Sequence, residues 1–570
     1  MKKQPDIDGF TVQHLPIISA YARRIGVLDI INTLVPTEMA IDAGTVILGM
    51  ILDTLTGRSP LYRLEEFFEH QDTELLLGKK TDPLQFSDYT VGRVLDRIYD
   101  YGTMKLFSQI AMQALTSFEI DRRHLSFDTT SVSVQGDYAL YSSDNSNDEV
   151  MKIVYGHSKD HRPDLKQFMV KMLCVDRTIP VFGATEDGNA SDKIVNNEVL
   201  TSISKYMADN GIKKEGFIYI ADSAMVTRKN LEKIGDDIQF ISRFPATYKE
   251  CSHLIKAAIA SDEWVKLGKL SQTVETQKRP AAVYKAWESH VEINGRIYRA
   301  VIIHSSAHDK RRQKRIEKEL QKEHTELSQA IKKISTQEFF CQADAEQAAR
   351  ELQNSKCVFY TPTTHIVEIP KYRRGRPKMD GNRALDKMMY GICIELSETN
   401  AAEELKKETG CFVLITNVPE ENGYSSYDIL RAYKDQYGIE QNFGFFKNTP
   451  IVNSIFLKKA ERIEVLAFIL LLSLLVWRLI EYNMRRYAQE NEKDLPGWKK
   501  RRTDKPTTFM MMTRFQYMMI LMVDHCRQFN RPLSQIQREY LKALALSPEI
   551  FTNPNGWKIF NGLKYQDNYR

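Results

Sequence analysis

The sequence predicts an α/β protein whose mixed sheet is interrupted by a large insertion and flanked by helical regions. Between residues 119 and 245, three strand-like segments are followed by a helix, a strand, a helix and a strand. A further strand at Phe412–Thr416 precedes a helix that has polar and apolar residues on adjacent faces. Toward both ends of the chain, apolar residues recur at helical spacing.

Length and composition are those of a soluble protein with several structural units. The 570 residues are too many for one hydrophobic core, so we expect about two to four units. Hydrophobic residues make up 42% and charged residues 27%, and the net charge of +5 selects no class of partner. The seven cysteines form no CxxC pair, which argues against a zinc knuckle or a disulfide framework and fits a reducing cytoplasm.

No membrane-spanning segment is predicted. The first residues, MKKQPDIDGF, lack an apolar signal segment. The most hydrophobic run, Val465–Trp477, has 13 residues, whereas a helix that spans a bilayer needs about 20. We therefore expect this run to be a buried helix, and we expect a cytoplasmic protein without a membrane partner.

Helices are predicted at both ends of the chain. Residues 1–118 have helical periodicity in three segments, 15–34, 43–55 and 89–115. A helical region of this kind can bind DNA or another partner, although none of it matches a helix-turn-helix. Residues 488–570 are predicted to be a second helical region, with a basic start at Lys499–Arg502.

The region between residues 119 and 245 is predicted to be the first part of a catalytic core. Its elements alternate in the manner of a mixed sheet with covering helices. The predicted strands are 124–134, 165–175, 179–184, 217–221 and 239–242, and the predicted helices are 192–210 and a segment through Leu231.

Residues 246–410 are predicted to be an insertion domain, and residues 411–487 the second part of the core. The insertion contains a strand at Ile297–Ile303 and a charged helix at Asp309–Ile334 with coiled-coil spacing. Ala343–Leu352 is expected to pair back on that helix, which would otherwise be free to dimerise. A long helix, Glu461–Arg486, is predicted within the second part of the core.

The segment Tyr433–Lys447 is predicted to be one helix with a polar face beside a buried face. At about 100° per residue, four polar residues fall within an arc of about 60°. Three apolar residues gather on the neighbouring arc. An ordinary amphipathic helix would give the same pattern. The polar residues are Tyr433, Gln436, Glu440 and Lys447, and the apolar ones are Ile439, Phe443 and Phe446.

Three carboxylates are candidates for a metal site. Asp128 lies on the first predicted strand, Asp222 ends a later one, and Glu440 lies on the polar face of the helix. Carboxylates at strand ends and on a covering helix can converge on one point. Oxygen ligands of this kind bind Mg²⁺, and two such ions can clamp a phosphodiester displacement. With 74 acidic residues in the chain, each aspartate taken alone is more simply a solvated strand end.

The order of these features resembles the RNase H-like DDE transposases of bacterial insertion sequences. Those proteins have a strand with Asp, a second strand with Asp, an insertion and a helix with Glu. The spacing of Tyr433, Gln436, Glu440 and Lys447 is similar to the Y-x2-R-x3-E-x6-K signature of the IS-four superfamily. Gln436 stands where the signature has arginine, and a neutral amide cannot make a charge-assisted contact to phosphate.

Three further segments resemble the same superfamily, especially its IS-sixteen-thirty-four-type branch. FDTTSVSV surrounds Asp128, FIYIADSAM surrounds Asp222, and YGHSKDHRPDLKQ spans Tyr155–Gln167. The resemblance extends over roughly residues 15 to 482, and its motifs are weak singly and strong in combination.

The resemblance implies an RNase H-like mixed sheet and a cut-and-paste transposase that acts on double-stranded DNA. Asp128, Asp222 and Glu440 would bind two Mg²⁺ ions, for which Mn²⁺ can substitute. The enzyme would cleave at terminal inverted repeats and transfer the freed 3′-OH to target DNA, as a homodimer in the synaptic complex. Tyr433, Gln436 and Lys447 would hold the DNA strand, and a hairpin at the element end is a possible intermediate.

Two smaller motifs remain open to more than one interpretation. Arg374 and Arg376 lie in an RGRP sequence that resembles an AT-hook, whose arginines enter the minor groove. A basic surface loop would have the same composition. His157 and His161 have the spacing of a helical metal pair, but Gly156 and Pro163 flank them and favour a loop.

Two other functions are compatible with the same residues. A metal-dependent nuclease of the same fold would cleave DNA without joining strands. A domesticated DNA-binding protein would have lost the reaction altogether, although the three carboxylates are intact.

Overall fold

The computed structural model of the chain describes residues 7–57, 63–135, 138, 150–159, 162–190, 216–235, 238–270, 281–355, 357–372, 385–447 and 457–558. The chain forms two compact units. The first contains Met1–Ser242 and Ala432–Arg570, and the second contains Arg243–Arg431. The predicted insertion, 246–410, falls within the second unit.

The N-terminal part of the first unit is helical, as the apolar periodicity predicts. Two of the predicted helical segments are divided at a glycine. Gly26 has φ 74° and Gly102 has φ 107°, conformations that glycine adopts without the steric cost of a Cβ atom. Strand β1, Ile7–Phe10, comes first. The helices are α1 Leu15–Arg24, α2 Val27–Leu34, α3 Ala43–Thr54, α4 Leu64–Glu69, α5 Thr73–Leu77, α6 Asp88–Tyr101 and α7 Thr103–Phe118.

Five strands of the first unit form a mixed sheet, which confirms the predicted α/β class. The order is β4-β3-β2-β5-β6. Strands β2, β3 and β4 pair antiparallel, whereas β5 is parallel to both β2 and β6. The predicted helix 192–210 lies outside the described residues. The elements are β2 His124–Val134, β3 Lys166–Val175, β4 Ile179–Glu186, β5 Ile218–Ala221, α8 Arg228–Ile234 and β6 Gln239–Arg243.

The second unit contains four antiparallel strands in the order β12-β9-β8-β7 and a separate two-stranded ribbon, β10 with β11. The predicted strand at Ile297–Ile303 and both predicted helices are present, whereas β7, β8 and the ribbon were not predicted. Strand β12, which we assigned to the core, pairs with β9 here. The elements are α9 Lys249–Ser261, β7 Val265–Lys269, β8 Val283–Ile293, β9 Arg296–Ser305, α10 Ser306–Ser335, α11 Gln342–Gln353, β10 Tyr360–Tyr372, β11 Leu385–Glu398, α12 Ala401–Glu408 and β12 Cys411–Thr416.

The predicted pairing of the two insertion helices is only part of what holds α11. Ala345 and Ala349 of α11 pack on Ile392 of the ribbon, and Ile334 at the end of α10 joins the same cluster. Helix α11 therefore buries its small side chains mainly against the ribbon. These contacts form an intramolecular arrangement of the kind that we expected.

Three helices follow and return the chain to the first unit. They are α13 Ser426–Asp435, α14 Tyr437–Phe446 and α15 Ala460–Glu490. Helix α15 contains the predicted buried run Val465–Trp477 and packs on α1, α3, α6, α7 and β4. It is long and apolar enough to cross a membrane, yet 89% of its most apolar window is buried inside the protein. That burial confirms the prediction of a core helix.

The C-terminal region differs from the prediction of a mainly helical segment. Its short strands pair within the region, and β15 also pairs antiparallel with β1 from the other end of the chain. Helical periodicity could not reveal this sheet, because its strands are two to four residues long and one partner is remote. The elements are β13 Leu495–Pro496, β14 Arg502–Thr503, α16 Thr508–Phe515, β15 Ile520–Val523, β16 Cys526–Phe529 and α17 Gln535–Ala543.

A buried ion pair ties the C-terminal sheet to the N-terminal helices. Arg527 Nε lies 2.6 Å from Asp72 Oδ2, and the two side chains are 8% and 4% exposed. Asp72 also accepts a hydrogen bond from the backbone N–H of Leu75 and so caps α5.

We predict that Asp72→Ala lowers the free energy of unfolding by about 2–3 kcal/mol, because it removes one of the two carboxylates that pair with the buried Arg527 guanidinium, Glu74 being the other, and also removes a helix cap. Urea unfolding would measure this. Glu319→Ala is the matched control, since it breaks the exposed Arg315–Glu319 pair and should cost less than about 1 kcal/mol. Equal effects of the two substitutions would contradict a structural role for the buried pair.

Candidate functional site

Asp128 lies in the middle of the first unit's sheet. It pairs across the ladder with Met172 of β3, and Ser126 pairs with Cys174. Directly paired residues of neighbouring strands point to the same face of a sheet. Asp128, Met172 and Cys174 therefore share one face, which we call the acidic face.

Asp222 occupies the equivalent position on the neighbouring parallel strand. The last residues paired between β2 and β5 are Ser126 and Ile220. Asp128 and Asp222 each follow their paired residue by two positions. Since side chains alternate along a strand and Asp222 keeps extended dihedral angles, φ −74° and ψ 170°, both aspartates project from the acidic face, Asp128 from within β2 and Asp222 just after the end of β5.

The segment that carries Glu440 is two helices rather than the single helix that we predicted. Helix α13 ends at Asp435 and α14 begins at Tyr437. Gln436 between them keeps helical dihedral angles, but its carbonyl accepts a short-range hydrogen bond from Ile439. The 60° arc that we derived for four polar residues assumed an uninterrupted helix, so it remains a prediction for this locally tightened segment.

Close packing against the turn between β3 and β4 explains the break. Arg177 Nε lies 2.9 Å from Asp435 Oδ1, at the end of α13. A Cβ atom on Gly438 would lie only 2.2 Å from the Arg177 carbonyl oxygen. Glycine is required there because the turn approaches the backbone of α14 directly. The turn therefore contacts both the end of α13 and the start of α14.

Asn442 binds helix α14 to the acidic face. Its Nδ2 donates to the Thr178 carbonyl oxygen at 2.8 Å and contacts Cys174 Sγ at 3.3 Å and Met172 Sδ at 3.5 Å. Both sulfur atoms belong to residues on the acidic face. The contacts thus place α14 over the same face of the sheet as Asp128.

The same asparagine is bound from the other side by the core helix α15. Arg478 Nε donates to Asn442 Oδ1 at 2.7 Å, and Arg478 Nη1 lies 2.5 Å from Glu481 Oε2. Glu481 also accepts from the backbone N–H of Thr508, at the start of α16. All of these side chains are buried. We call Asn442, Arg478, Glu481 and Thr508 the buried polar network.

Glu440 lies at the edge of helix α14, about 100° around the helix from buried Ile439. Helix α14 packs on β2, the strand of Asp128. Glu440 and Asp222 are exposed, and neither has an ion pair with the residues that the structure describes. The three carboxylates are thus carried by three elements that meet at one face.

The carboxylates do not form a closed set of metal ligands in this conformation. Among the described residues, no group of three His, Cys, Asp or Glu side chains is arranged to hold a metal ion. Asp128 and Asp222 each accept a hydrogen bond from the backbone N–H of the next residue, Thr129 and Ser223. Each carboxylate is therefore oriented by the backbone of its own chain segment.

Two buried groups near Asp128, the Cys174 thiol and the Tyr219 phenol, are neutral. Burial raises the pKa of the Cys174 thiol to about 12, although the hydrogen bond from Asn442 and the charge of Arg478 act against that rise. Burial also raises the pKa of Tyr219, and the negative charge of Asp128 adds to the shift. Cys174 therefore remains a thiol and Tyr219 a phenol at neutral pH, so neither is a nucleophile.

The segment before β3 lies against the strand of Asp128. Lys159 Nζ donates to the carbonyl and hydroxyl oxygens of Thr129 at 2.8 and 2.9 Å. A Cβ atom on Gly156 would lie 2.0 Å from the Gly188 carbonyl oxygen. This close approach explains the glycine of the YGHSK sequence, and Lys159 is a cation bound to Thr129, the residue after Asp128, that we did not assign.

The remaining predicted site residues have different positions. Tyr433 and Gln436 are half-buried, and Lys447 is exposed immediately after α14. Arg374, Arg376 and His161 lie outside the described residues. His157 lies in a segment, 150–159, without helix, so the described part of the chain does not form the helical histidine pair.

Residues 8–112 match a protein family described as a domain of unknown function, DUF4277. The match covers the N-terminal helices and none of the three carboxylates. None of the curated proteins compared with the chain matches it.

We predict that Asn442→Ala lowers the free energy of unfolding by about 3 kcal/mol, because it leaves the buried Arg478 guanidinium and the Thr178 carbonyl with fewer partners. Gln441, the exposed neighbour of Asn442, provides the control. Gln441→Ala should change the free energy of unfolding by less than about 0.5 kcal/mol. Chemical denaturation of both variants would measure the difference. A fully stable Asn442→Ala protein would show that the network does not hold α14.

Proposed function

We propose that the protein is a transposase that cleaves DNA at the ends of a mobile element and joins those ends to target DNA. One observation carries the proposal. Asp128 and Asp222 stand at equivalent positions on adjacent parallel strands, and Glu440 belongs to the helix that covers the same face. An arrangement of this kind concentrates oxygen ligands where a divalent ion and a phosphate can bind.

The fold supports an RNase H-like assignment. A mixed sheet carries both aspartates, and the second unit, Arg243–Arg431, intervenes between β6 and the helix of Glu440. The order of acidic strand, acidic strand, insertion and Glu helix is the order that the sequence resemblance implies. The DUF4277 match leaves the activity of the N-terminal region undefined.

The donor set fits Mg²⁺ or Mn²⁺. Asp128, Asp222 and Glu440 supply only carboxylate oxygens, which these hard cations prefer. The exposed carboxylates of Asp222 and Glu440 can rotate toward a shared ion, since no ion pair in the described part of the chain holds them elsewhere. Two bound ions would supply an activated water and neutralise charge on the attacking and leaving oxygens.

The chemistry consists of two phosphodiester displacements. In the first, water attacks phosphorus at the element end and the P–O3′ bond breaks, which leaves a 3′-OH and a 5′-phosphate. In the second, this 3′-OH attacks a target phosphodiester, and the 3′-oxygen of the target strand leaves. The three carboxylates position both reactions, because the water and the 3′-OH must occupy the same place relative to phosphorus.

The DNA partners follow from this reaction. The proposed substrates are the terminal inverted repeats of the element and a target duplex. Lys447 can bind a phosphate as a point charge, whereas Tyr433 and Gln436 can offer neutral hydrogen bonds. Joining two ends requires two active sites, so we propose a homodimer in the synaptic complex, within the bacterial cytoplasm.

We predict that Asp128→Asn, Asp222→Asn and Glu440→Gln each abolish DNA cleavage and weaken Mn²⁺ binding, because each removes a charged oxygen ligand. Calorimetric titration with Mn²⁺ tests the site without DNA, and nicking of DNA that flanks the coding region tests the reaction. Glu69→Gln, which removes an exposed carboxylate far along the chain from these residues, should leave both unchanged.

Three outcomes would contradict the proposed site or the proposed transposase function. Full cleavage by any one carboxylate variant would remove that residue from the site. Cleavage by the wild type without joining of a precut 3′ end would identify a nuclease. DNA binding with neither Mn²⁺ binding nor cleavage would identify a DNA-binding protein that lacks the reaction.

We also predict that Lys447→Ala impairs end processing more than Gln436→Ala does. Charged hydrogen bonds to phosphate are about twice as strong as neutral ones, and Lys447 is exposed whereas Gln436 is half-buried between two helices. Gln436→Arg should be tolerated if the side chain reaches solvent along the helix edge. Cleavage and joining assays would rank the variants, and wild-type activity of Lys447→Ala would exclude its contact with DNA.

A further inference from the structure

A tight β-hairpin presents two adjacent lysines on the surface of the C-terminal region. Strands β13 and β14 pair as Leu495 with Thr503 and Pro496 with Arg502. The Arg501 N–H donates to the Trp498 carbonyl oxygen at 3.0 Å, which closes the turn around Lys499 and Lys500. We call residues 495–503 the basic hairpin.

The backbone of this turn is unusual for the residues that occupy it. Lys499 and Lys500 have φ values of 52° and 60°. Positive φ at both central positions is the conformation of a type I′ turn, in which Asn-Gly is strongly preferred. A lysine in the left-handed region carries a steric cost, and two in succession carry it twice. Such strain persists only where the surrounding structure holds the backbone in place, and it is frequent at functional sites.

The cations at the turn have no partners among the residues that the structure describes. Lys499, Lys500 and Arg501 are exposed, and their side chains make no hydrogen bond or ion pair within that part of the chain. Arg502, at the base of the hairpin, is paired with Glu539 at 2.8 Å. Asp494 and Asp504 flank the opposite end of the strands, beyond the last ladder pair. Positive charge is therefore concentrated at the turn.

Exposed aromatic side chains lie beside these cations. The ring of Trp498 is 5.9 Å from that of Phe509, and the two residues are 44% and 58% exposed. A pair of exposed aromatic rings next to unpaired cations is typical of surfaces that bind nucleic acid. The cations can contact phosphates while the rings contact a sugar or a base.

The basic hairpin is held rigidly by its neighbours. Tyr540 Oη donates to the Pro496 carbonyl oxygen at 2.5 Å, and Arg514 Nη2 donates to the Gly497 carbonyl oxygen at 2.6 Å. These donors come from α17 and α16, so two helices fix the base of the hairpin. A rigid base lets the turn hold its charges in place without further loss of entropy on binding.

We propose that the basic hairpin is a DNA-contact element separate from the site of the three carboxylates. Lys499, Lys500 and Arg501 bind phosphates of a DNA strand, and Trp498 with Phe509 packs against the sugar or against an unpaired base. The inference rests on the proposed function for the choice of DNA as partner. It adds a contact surface that neither the carboxylates nor the Lys447 helix edge provides.

The test uses the preference of type I′ turns for Asn-Gly at their two central positions. Lys499→Asn combined with Lys500→Gly removes both charges and installs the pair that a type I′ turn favours, so the fold is kept. Lys499→Arg with Lys500→Arg keeps the charges. Lys332→Gln with Lys333→Gln removes an adjacent exposed lysine pair elsewhere in the chain and serves as the matched control. The probes are a fluorescein-labelled duplex of unrelated sequence and its single strand, titrated by anisotropy with the full chain at several salt concentrations.

We expect the Asn-Gly variant to bind the duplex about tenfold more weakly and to lose about 1.8 from the slope of log K against log salt, since each phosphate contact contributes about 0.9. Its unfolding temperature should equal or exceed that of the wild type. The Arg-Arg variant and the control pair should bind like the wild type. Trp498→Ala should weaken single-strand binding most if the ring stacks on a base, and both probes equally if it packs on sugar.

Four results would overturn the inference. An Asn-Gly variant that binds like the wild type would remove the hairpin from the DNA surface and leave the proposed function standing. An equal loss in the control pair would indicate unspecific attraction. A wild-type protein that binds no DNA would overturn both proposals. Lysine-dependent binding to anionic phospholipid vesicles without DNA binding would assign the hairpin to a membrane surface.

Discussion

The position of the Glu440 helix depends on one buried polar contact, between Asn442 and Arg478. Asn442 has its amide nitrogen on the sheet side and its amide oxygen on the guanidinium of the core helix. Burying a charged guanidinium is costly unless every donor finds an acceptor, so Glu481 is required as well. Once these partners are satisfied, the helix has one register against the sheet. A shift of the helix by one residue would leave the buried Arg478 guanidinium without its Asn442 partner.

That constraint links regions that are distant in sequence. Glu481 also receives the N-terminus of α16, and the turn that carries Thr178 belongs to a hairpin that begins more than 250 residues before Asn442. The network therefore joins the sheet, the α14 helix, the core helix and the C-terminal region in one set of contacts. Polar groups suit this task better than apolar ones, because their hydrogen bonds fix direction as well as distance.

The proposed site and the basic hairpin would attract DNA by different physical means. The carboxylates of Asp128, Asp222 and Glu440 would repel phosphate until cations neutralise them, so the proposed reaction needs metal ions. The turn at Lys499 and Lys500 would attract phosphate directly. Because the lysines need no metal ion to attract phosphate, the proposed hairpin contact would hold DNA while the reacting strand is still being positioned. The two surfaces belong to the same compact unit.

The sequence by itself determined the α/β class, the buried nature of α15 and the candidate carboxylates, because alternation, periodicity and residue chemistry are local properties. Only the tertiary structure decided that the helix of Glu440 breaks at Gln436, since the cause is the Arg177 turn, remote in sequence. It also decided the roles of Asn442 and Arg478, whose isolated positions in the chain give no signal of burial or pairing. The left-handed turn at Lys499 could not be predicted either, because lysine disfavours that conformation and only the surrounding anchors hold it there.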